Sequence, residues 1–414
     1  MQIFLDILTY IGYIIVALLC LMFMIVVHET GHYLAGRWLG FSIEEFSIGF
    51  GPAIFKHKSK KSGQTFAIRW IPIGGYCAFY GEEEDEEKKR ARETREREEA
   101  EERARLTAEN DIYGEGTAVI DNGAIAEDNA VTTVDKARKI PFNEQAPWKR
   151  IIVFIAGALF NFISAIMIVS IFFMAYGEYT PTVTNVYDVG TGIEQHFEVG
   201  DEIIKVNGKY LYTSVYIDDL NRHLAGAGDH PTITVRRNGE LVDITVNKGV
   251  FTPLDENGEA IRDDAGNVIT KEGFGIVIGQ YGRYKFGFFE AIGRSFVFCF
   301  KVVGMIFSIF GQLFTGAIGI KGTLGGPVTT ITTIAALTRV GFDAVLYAIC
   351  TMSATLGVMN LLPLPALDGS KVVFTLIEWV RGKPINRKVE NTIHLVGLCL
   401  LFAMTIIFDI INFI

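Results

Sequence analysis

Two histidines and a glutamate near the N-terminus have the spacing of a zinc site. The run His28-Glu29-Thr30-Gly31-His32 matches the pattern HExxH. Residues i and i+4 share one face of a helix, so the two imidazoles can bind one Zn²⁺. Glu29 lies beside them and can serve as the general base of a hydrolysis. These residues predict a catalytic zinc centre.

The third protein ligand of this centre must come from elsewhere in the chain. A catalytic zinc has three protein ligands and one open position, and residues 33–40 contain no further His or Glu. The best candidate is Asp368, at the end of the run NLLPLPALDG over 360–369. Two prolines in this run interrupt a helix, so Asp368 is predicted to lie in a turn.

The composition points to a membrane protein. Half of the 414 residues are hydrophobic, 31 are Phe and 21% are charged. Several apolar windows reach about 20 residues, enough to cross a hydrocarbon core of roughly 30 Å. Disordered and collagen-like proteins are excluded. The net charge of −9 gives no case for nucleic-acid binding, and five cysteines without a CxxC pair predict neither a disulfide framework nor a Cys-based zinc site.

We predict about four transmembrane helices, with both chain ends on the outer side of the cell membrane. The apolar runs are about 7–27, 151–176, 342–362 and 393–414. Lys and Arg cluster after the first run, before the second and between the last two, which indicates cytoplasmic loops. The first and third helices then run in the same direction. Their inner ends bring HExxH and Asp368 to the same depth, towards the cytoplasmic side.

One further apolar segment, 286–320, has two interpretations. Arg294 and Lys301 interrupt it, and Gly304 and Gly311 weaken a helix there. We expect a helix on the outer face of the membrane. The alternative is an extra crossing, paired with another near 324–340.

The remaining segments complete a domain plan. Short hairpin strands are predicted in 41–80, and residues 82–105 carry 20 charges at spacings that favour a solvated helix. Residues 178–250 have strand and turn signals, a helix over 215–225 and an Asn238-Gly239 hairpin turn. The predicted segments are 1–40 (first transmembrane helix with HExxH), 41–80 (membrane-associated β region), 81–147 (cytoplasmic charged arm and loop), 148–177 (second transmembrane helix), 178–250 (extracytoplasmic α+β domain), 251–341 (extracytoplasmic β-rich and membrane-surface helical region), 342–370 (third transmembrane helix with the LDG motif) and 371–414 (cytoplasmic loop and fourth transmembrane helix).

These motifs together resemble a known family. HExxH on the first apolar helix, with NxxPxPxLDG on a later one, is similar to the site-2 protease family of intramembrane zinc proteases, peptidase family M50. The RseP-like bacterial branch, which carries a PDZ domain, is the nearer match. Further stretches fit over nearly the whole chain: Phe46–Pro52, Ile71–Tyr76, Pro141–Asn143, Ala156-Gly157, Asn161 and Gly325–Pro327.

The resemblance implies a function and a set of site residues. His28, His32 and Asp368 would hold Zn²⁺, and Glu29 would be the catalytic base. The substrates would be single-pass membrane proteins in the lipid bilayer, such as anti-sigma factors or signal-peptide remnants. A substrate would unwind and pair as a strand with the edge in 60–80. Substrate contacts are expected at Asn360, Pro363, Pro365, Gly74 and Gly75.

Some alternatives stay open at this point. Residues 178–250 would form a PDZ-like domain that acts either as a size filter or as a peptide receptor. Asn360 and Asn161 could instead make hydrogen bonds between helices. A catalytically silent PDZ adaptor is the competing function, although Glu29 and all three ligands are present. A zinc transporter is disfavoured, because the second and fourth apolar runs contain almost no polar residues.

Overall fold

A computed structural model describes most of the chain. It covers residues 2–60, 62–82, 139–187, 189, 197–215, 218–254, 259–263, 266–319 and 321–414, together with 89–92, 94, 95, 97, 98, 101, 102, 104 and 105. Within the predicted charged arm and loop, 83–88 and 106–138 lie outside the described residues. The described residues between 89 and 105 are helical, and Arg97 and Glu101 form an ion pair at i,i+4 spacing.

Long apolar helices dominate the structure. The helices are α1 (Gln2–Trp38), α2 (Pro147–Ala175), α3 (Asp219–Ala225), α4 (Phe288–Phe314), α5 (Pro327–Val340), α6 (Phe342–Leu361), α7 (Asp368–Arg381) and α8 (Arg387–Phe413). A short 3₁₀ turn, Phe142–Glu144, precedes α2. Helix α1 passes through HExxH without a break, so both histidines lie on regular helix as predicted.

Five helices in the described part are long and apolar enough to cross a membrane: α1 from Leu8, α2, α4, α6 and α8. Four of them match the predicted transmembrane helices. The fifth, α4, covers the segment with two interpretations. Its length and composition fit a crossing. The chain is therefore a multi-helix protein with membrane-compatible helices and separate β structure.

Strands β1 (Ile43–Lys58) and β2 (Thr65–Phe79) form the predicted hairpin region. The pairing is irregular, with several register shifts. Ile43–Ile48 pairs with residues 75–79 on one side and with residues 65–68 on the other. The segment 75–79 is therefore an outer strand of this small sheet. Behind it, Phe41, Ile43, Phe79, Phe142, Val153 and Phe154 form a buried apolar cluster.

A second, six-stranded sheet lies between α2 and α4 in the sequence. Its strands are β3 (Glu178–Val186), β4 (Glu202–Val206), β5 (Lys209–Tyr210), β6 (Thr232–Arg237), β7 (Glu240–Thr245) and β10 (Ile276–Tyr284), in the order β10-β3-β4-β6-β7 with β5 on β4. Strands β8 (Gly249–Phe251) and β9 (Lys271–Gly273) pair separately. The Asn238-Gly239 turn joins β6 to β7 with positive φ at both residues. Because β10 belongs to the same sheet, this β structure extends beyond the predicted boundary at 250 to Tyr284.

The chain forms two compact units. The first contains Met1–Asn161, Ile320–Ala335 and Leu356–Ile414, and the second contains Phe162–Gly319 and Ala336–Thr355. HExxH, the β1–β2 region and Asp368 all belong to the first unit. The second unit holds the six-stranded sheet, whose core includes Val183, Ile203, Ile233 and Val235.

Candidate metal centre

Helix α1 brings His28 and His32 together on one face. Both side chains are buried, with 7% of each residue exposed. Their ring centroids are 4.8 Å apart, and their Nε2 atoms are 3.2 Å apart. The spacing of four residues therefore has the predicted result, since both Nε2 atoms point to a common place.

Groups on α2 orient the two rings through their other nitrogen. His32 Nδ1 lies 2.8 Å from the carbonyl oxygen of Val153, so this nitrogen carries the proton and donates it. The Asn161 side-chain amide lies 3.2 Å from His28 Nδ1. In a zinc-bound ring, Nδ1 of His28 would carry the proton and the amide oxygen of Asn161 would accept it. Outer partners of this kind leave Nε2 available to a metal and fix the ring.

Asp368 completes the group from the far end of the sequence. It is the first residue of α7, after a turn at 362–367. Its Oδ2 lies 3.0 Å from His28 Nε2 and 3.2 Å from His32 Nε2. Burial raises the pKa of Asp368, but the two imidazoles outweigh burial and lower this pKa below its usual range. Among the residues that the structure describes, these three are the one group of His, Cys, Asp or Glu able to hold a metal.

The separations of these atoms suit a tetrahedral zinc. Two ligands at about 2.1 Å from zinc, with tetrahedral angles, lie about 3.4 Å from each other. The three separations here are 3.0, 3.2 and 3.2 Å. Two nitrogens and one carboxylate oxygen are also the donor types that zinc prefers. The residues present therefore fit a zinc ion.

Glycines allow α1 and α2 to approach closely beside the group. A Cβ on Gly157 of α2 would lie 2.4 Å from His32 Nε2 and 2.7 Å from His28 Cε1. A Cβ on Gly31 of α1 would lie 2.3 Å from the Ala156 carbonyl oxygen. Small residues at such a crossing bring helix backbones into contact. Here they also leave the space in which the imidazoles sit.

Glu29 lies between the helix face and the small sheet. It is half-buried, and a Cβ on Gly75 of β2 would lie 3.2 Å from Glu29 Cγ. The outer strand of the sheet therefore passes directly beside Glu29. Gly74 has a φ of +98°, and Phe50 occupies the space where its side chain would stand. Of the two glycines that we predicted as substrate contacts, Gly75 thus lies next to the predicted base, and Gly74 precedes it on β2 beside Phe50.

The other predicted contact residues lie at the end of α6 and in the turn after it. Asn360 is half-buried in the last turn of α6, and Pro363 is exposed. Pro365 is half-buried and contacts α8: a Cβ on Gly397 would lie 2.2 Å from Pro365 Cβ. All three therefore lie at the helix end that leads to Asp368, and a substrate contact at each of them stays a prediction.

The structure adds residues that the sequence did not single out. Lys371 Nζ, one turn after Asp368, lies 2.8 Å from Glu82 Oε1. Burial lowers the pKa of Lys371, but Glu82, Asp368 and Glu29 outweigh burial and raise this pKa. The Val153 carbonyl is a main-chain group and leaves no signal in the sequence. Gly157 appeared only as part of the Ala156-Gly157 resemblance, with no role attached.

Comparison with known proteins agrees with this geometry. The model of peptidase family M50 matches residues 16–404. A protein of Brucella suis biovar 1 (strain 1330), provisionally named a zinc metalloprotease, is 29% identical over 396 residues, 95% of this chain and 93% of that protein. Proteins with the same provisional name from Agrobacterium fabrum (strain C58 / ATCC 33970) and Staphylococcus aureus (strain COL) are 28% and 27% identical, over 95% and 93% of this chain and 94% of each relative.

The fold, the candidate metal centre and the similar proteins together define the class of the protein, a zinc peptidase with helices long enough to cross a membrane. The chain belongs to peptidase family M50. Zinc is the cofactor of this family. Together with five helices of sufficient length and apolarity, family membership indicates a multi-pass membrane protein.

Proposed function

We propose that this protein is an intramembrane zinc endopeptidase of the site-2 protease type. The observation that carries the proposal is that His28, His32 and Asp368 converge beside Glu29. His28, Glu29 and His32 lie on α1, a helix apolar enough to span a membrane. Ionisable residues in such helices are costly and are usually functional. The three ligands would hold the zinc, and one position would remain open to the reaction.

The chain's own residues suit the hydrolysis of a peptide bond. Zinc at this position supplies a Lewis acid, which polarises a carbonyl and makes water more acidic. Glu29, beside the open position, takes a proton from the attacking water and passes it to the leaving amine. The rings keep their orientation during the reaction because the Val153 carbonyl and the Asn161 amide hold them from behind.

The substrate in this proposal is a transmembrane segment of a single-pass protein, as in regulated intramembrane proteolysis. A helical segment has its carbonyls hydrogen-bonded, so it must unwind before it reacts. The outer strand 75–79 beside Glu29 offers a place for an unwound segment to pair. Asn360, Pro363 and Pro365 would contact the segment from the end of α6.

The proposed location is the cell membrane, with the metal centre towards the cytoplasm. The lysines and arginines that follow α1, precede α2 and lie between α7 and α8 support this orientation. The six-stranded sheet would then lie outside, as a PDZ-like domain that limits which substrates reach the centre.

Cleavage of truncated single-pass reporter proteins tests the proposal. The wild type, Glu29→Gln and Glu44→Gln would each be co-expressed with a reporter panel, with and without a zinc chelator. Glu44 is an exposed glutamate on β1 and provides the matched control. We expect Glu29→Gln to lower cleavage by at least about 100-fold, the lower bound for a general base. It should bind as much zinc as the wild type.

Each outcome has a clear meaning. Cleavage by the wild type and Glu44→Gln that stops with chelator supports the protease. Equal cleavage by Glu29→Gln would remove Glu29 from the reaction. A zinc-bound wild type that cleaves no reporter, including reporters already cut outside the membrane, would favour the adaptor.

A further inference from the structure

The turn that presents Asp368 contains a residue in an unfavourable backbone conformation. Ala366 has a φ of +75°, in the left-handed region that a Cβ disfavours. The other non-glycine residues with positive φ in the described part are Asn207 and Asn238, and Asn tolerates this region. Alanine has no side-chain polar group to stabilise such a turn. Neighbouring groups must therefore hold Ala366 in place.

Helix α8 supplies one such group. His394 Nδ1 lies 3.1 Å from the backbone nitrogen of Ala366 and accepts its hydrogen. An accepting Nδ1 means that the neutral ring carries its proton on Nε2. The His394 ring also makes an edge contact with Phe374, at 5.5 Å between centroids. This contact sets the direction in which the acceptor points.

The same face of α8 also holds the residue before Ala366. Gly397 lies three positions after His394, on the same side of the helix. A Cβ on Gly397 would lie 2.2 Å from Pro365 Cβ and 3.0 Å from the Pro365 carbonyl carbon. Pro365 therefore rests directly on the helix backbone. His394 and Gly397 together support the Pro365-Ala366 turn, one by a hydrogen bond and the other by close backbone contact.

The turn also borders a cavity. This cavity of about 430 Å³ is lined by Ala366 and His394 together with Glu82, Lys371 and residues of α2 and α8. Without the support from His394 and Gly397, the turn has space to relax away from its strained conformation. Asp368 follows two residues later, so such a shift would move its carboxylate relative to the imidazoles.

We propose that His394 is a positioning residue for the metal centre. Its hydrogen bond holds Ala366 in the left-handed conformation and thereby sets the position of Asp368 Oδ2 beside His28 and His32. This inference rests on the proposed function, because it assumes that the three residues hold zinc.

Zinc retention by the full-length protein in detergent tests the proposal. The variants are His394→Leu, which removes the acceptor, and His394→Asn, whose amide oxygen stands at the place of Nδ1. We expect His394→Leu to lose zinc to a chelator about tenfold more readily, near the lower end for outer partners of metal ligands. His394→Asn should restore most of the retention. Val396→Ala, 60% exposed on the same helix, is the control.

A second change separates positioning from general packing. Glycine adopts positive φ without the Cβ penalty, so Ala366→Gly should recover zinc retention in the His394→Leu background. Thermal unfolding of each variant would be measured in parallel, to separate loss of fold from loss of zinc. Wild-type retention by His394→Leu, or equal loss in His394→Leu and His394→Asn without recovery by Ala366→Gly, would overturn the inference. A wild type that binds no zinc would instead overturn the proposed function.

Discussion

At the scale of single residues, the metal centre depends on groups that have no chemistry of their own. The Val153 carbonyl fixes the tautomer of His32, and the missing side chain of Gly157 leaves space for both rings. HExxH supplies ligand types and spacing. Two groups on α2, the Val153 carbonyl and the Asn161 side chain, then decide which nitrogen of each ring is available.

Gly157→Ala tests how strictly this space is required. The new methyl group would overlap His32 Nε2, since it would stand 2.4 Å away on a helix backbone that cannot easily retreat. We expect zinc affinity to fall by about 10- to 100-fold, as for other changes next to metal ligands. The measurement is zinc per chain during titration with a competing chelator.

Gly12→Ala is the matched control for this change. It makes the same substitution in helix α1, where no atom lies within 4 Å of the new Cβ. Alanine is also the better helix former by roughly 0.5–1 kcal/mol. Unchanged zinc affinity in Gly12→Ala is expected. Unchanged affinity in Gly157→Ala would contradict the close contact between α2 and the imidazoles.

At the scale of elements, one arginine holds the irregular β1–β2 region in shape. Arg69 Nε donates to Ser47 Oγ at 2.8 Å, and its terminal nitrogens donate to the Gly51 carbonyl and to Glu45 Oε1. The Tyr76 hydroxyl lies 2.9 Å from the same guanidinium and donates to Glu45. Arg69 thus links β1 to the part of β2 that continues to the outer strand beside Glu29.

Arg69→Met should therefore impair catalysis without removing zinc. The loss of these hydrogen bonds would loosen the outer strand, on which the proposed function places the unwound substrate. We expect kcat/KM for a cleaved reporter to fall by at least about tenfold, the cost of one charged hydrogen bond of about 1.5 kcal/mol. Lys58→Met, an exposed substitution on the partner strand β1, is the control. Equal kcat/KM in both variants would show that the outer strand does not depend on Arg69.

The same cluster predicts a dependence on pH. Burial raises the pKa of Glu45, but the hydrogen bonds from Arg69 and Tyr76 outweigh burial and lower this pKa below 4.5. A lowered pKa in the folded state stabilises the fold above the unfolded pKa, and this contribution disappears as pH falls through the folded value. The wild type should therefore unfold at a higher temperature than Arg69→Met near neutral pH, and this difference should shrink as pH falls below about 4.5. A difference in unfolding temperature that persists at lower pH would argue against the Glu45–Arg69 pair.

At the scale of the whole molecule, buried ion pairs place several helix ends together. Arg150 near the start of α2 pairs with Glu378 near the end of α7 at 2.8 Å, and Glu378 also pairs with Arg387 at the start of α8. Lys149 Nζ lies 3.5 Å from the Leu39 carbonyl oxygen, just after α1. The end of α1 and the starts of α2 and α8 thus lie on one side.

The proposed directions of the helices also limit whether α4 can cross the membrane. In the proposed topology, α1 and α6 run in the same direction through the membrane, which brings Asp368 to the depth of His28. The number of crossings between α2 and α6 must then be even, so α4 and α5 cross either both or neither. Helix α5 has 14 residues, about 21 Å of helix against a hydrocarbon core of roughly 30 Å. The proposed topology therefore predicts a surface position for α4.

Cysteine labelling tests this position. In a chain whose native cysteines are replaced by serine, Phe289→Cys and Phe314→Cys mark the two ends of α4, where the residues are 85% and 90% exposed. A membrane-impermeant maleimide should reach both from the same side as Asn238→Cys in the six-stranded sheet. Lys383→Cys, between α7 and α8, marks the opposite side. Labelling of Phe314→Cys only from the Lys383 side would show that α4 crosses.

Local patterns in the sequence were sufficient for the helices and for two candidate ligands, and the proline-interrupted turn at the end of a helix with the same predicted direction named Asp368 as the third. Apolar windows predicted α1, α2, α6 and α8 because a transmembrane helix needs only length and composition. HExxH needed only the helical repeat, which places His28 and His32 on one face. The Asn238-Gly239 turn followed from the backbone preferences of those two residues.

The tertiary structure alone decided the contacts between distant segments. Asp368 and His28 are 340 residues apart, and no periodic pattern connects them. The Val153 carbonyl, the space at Gly157 and the Ala366 N–H that donates to His394 are main-chain groups or absent side chains. Such groups have no residue type that marks them. They become visible only when packing brings α1, α2, α7 and α8 around one point.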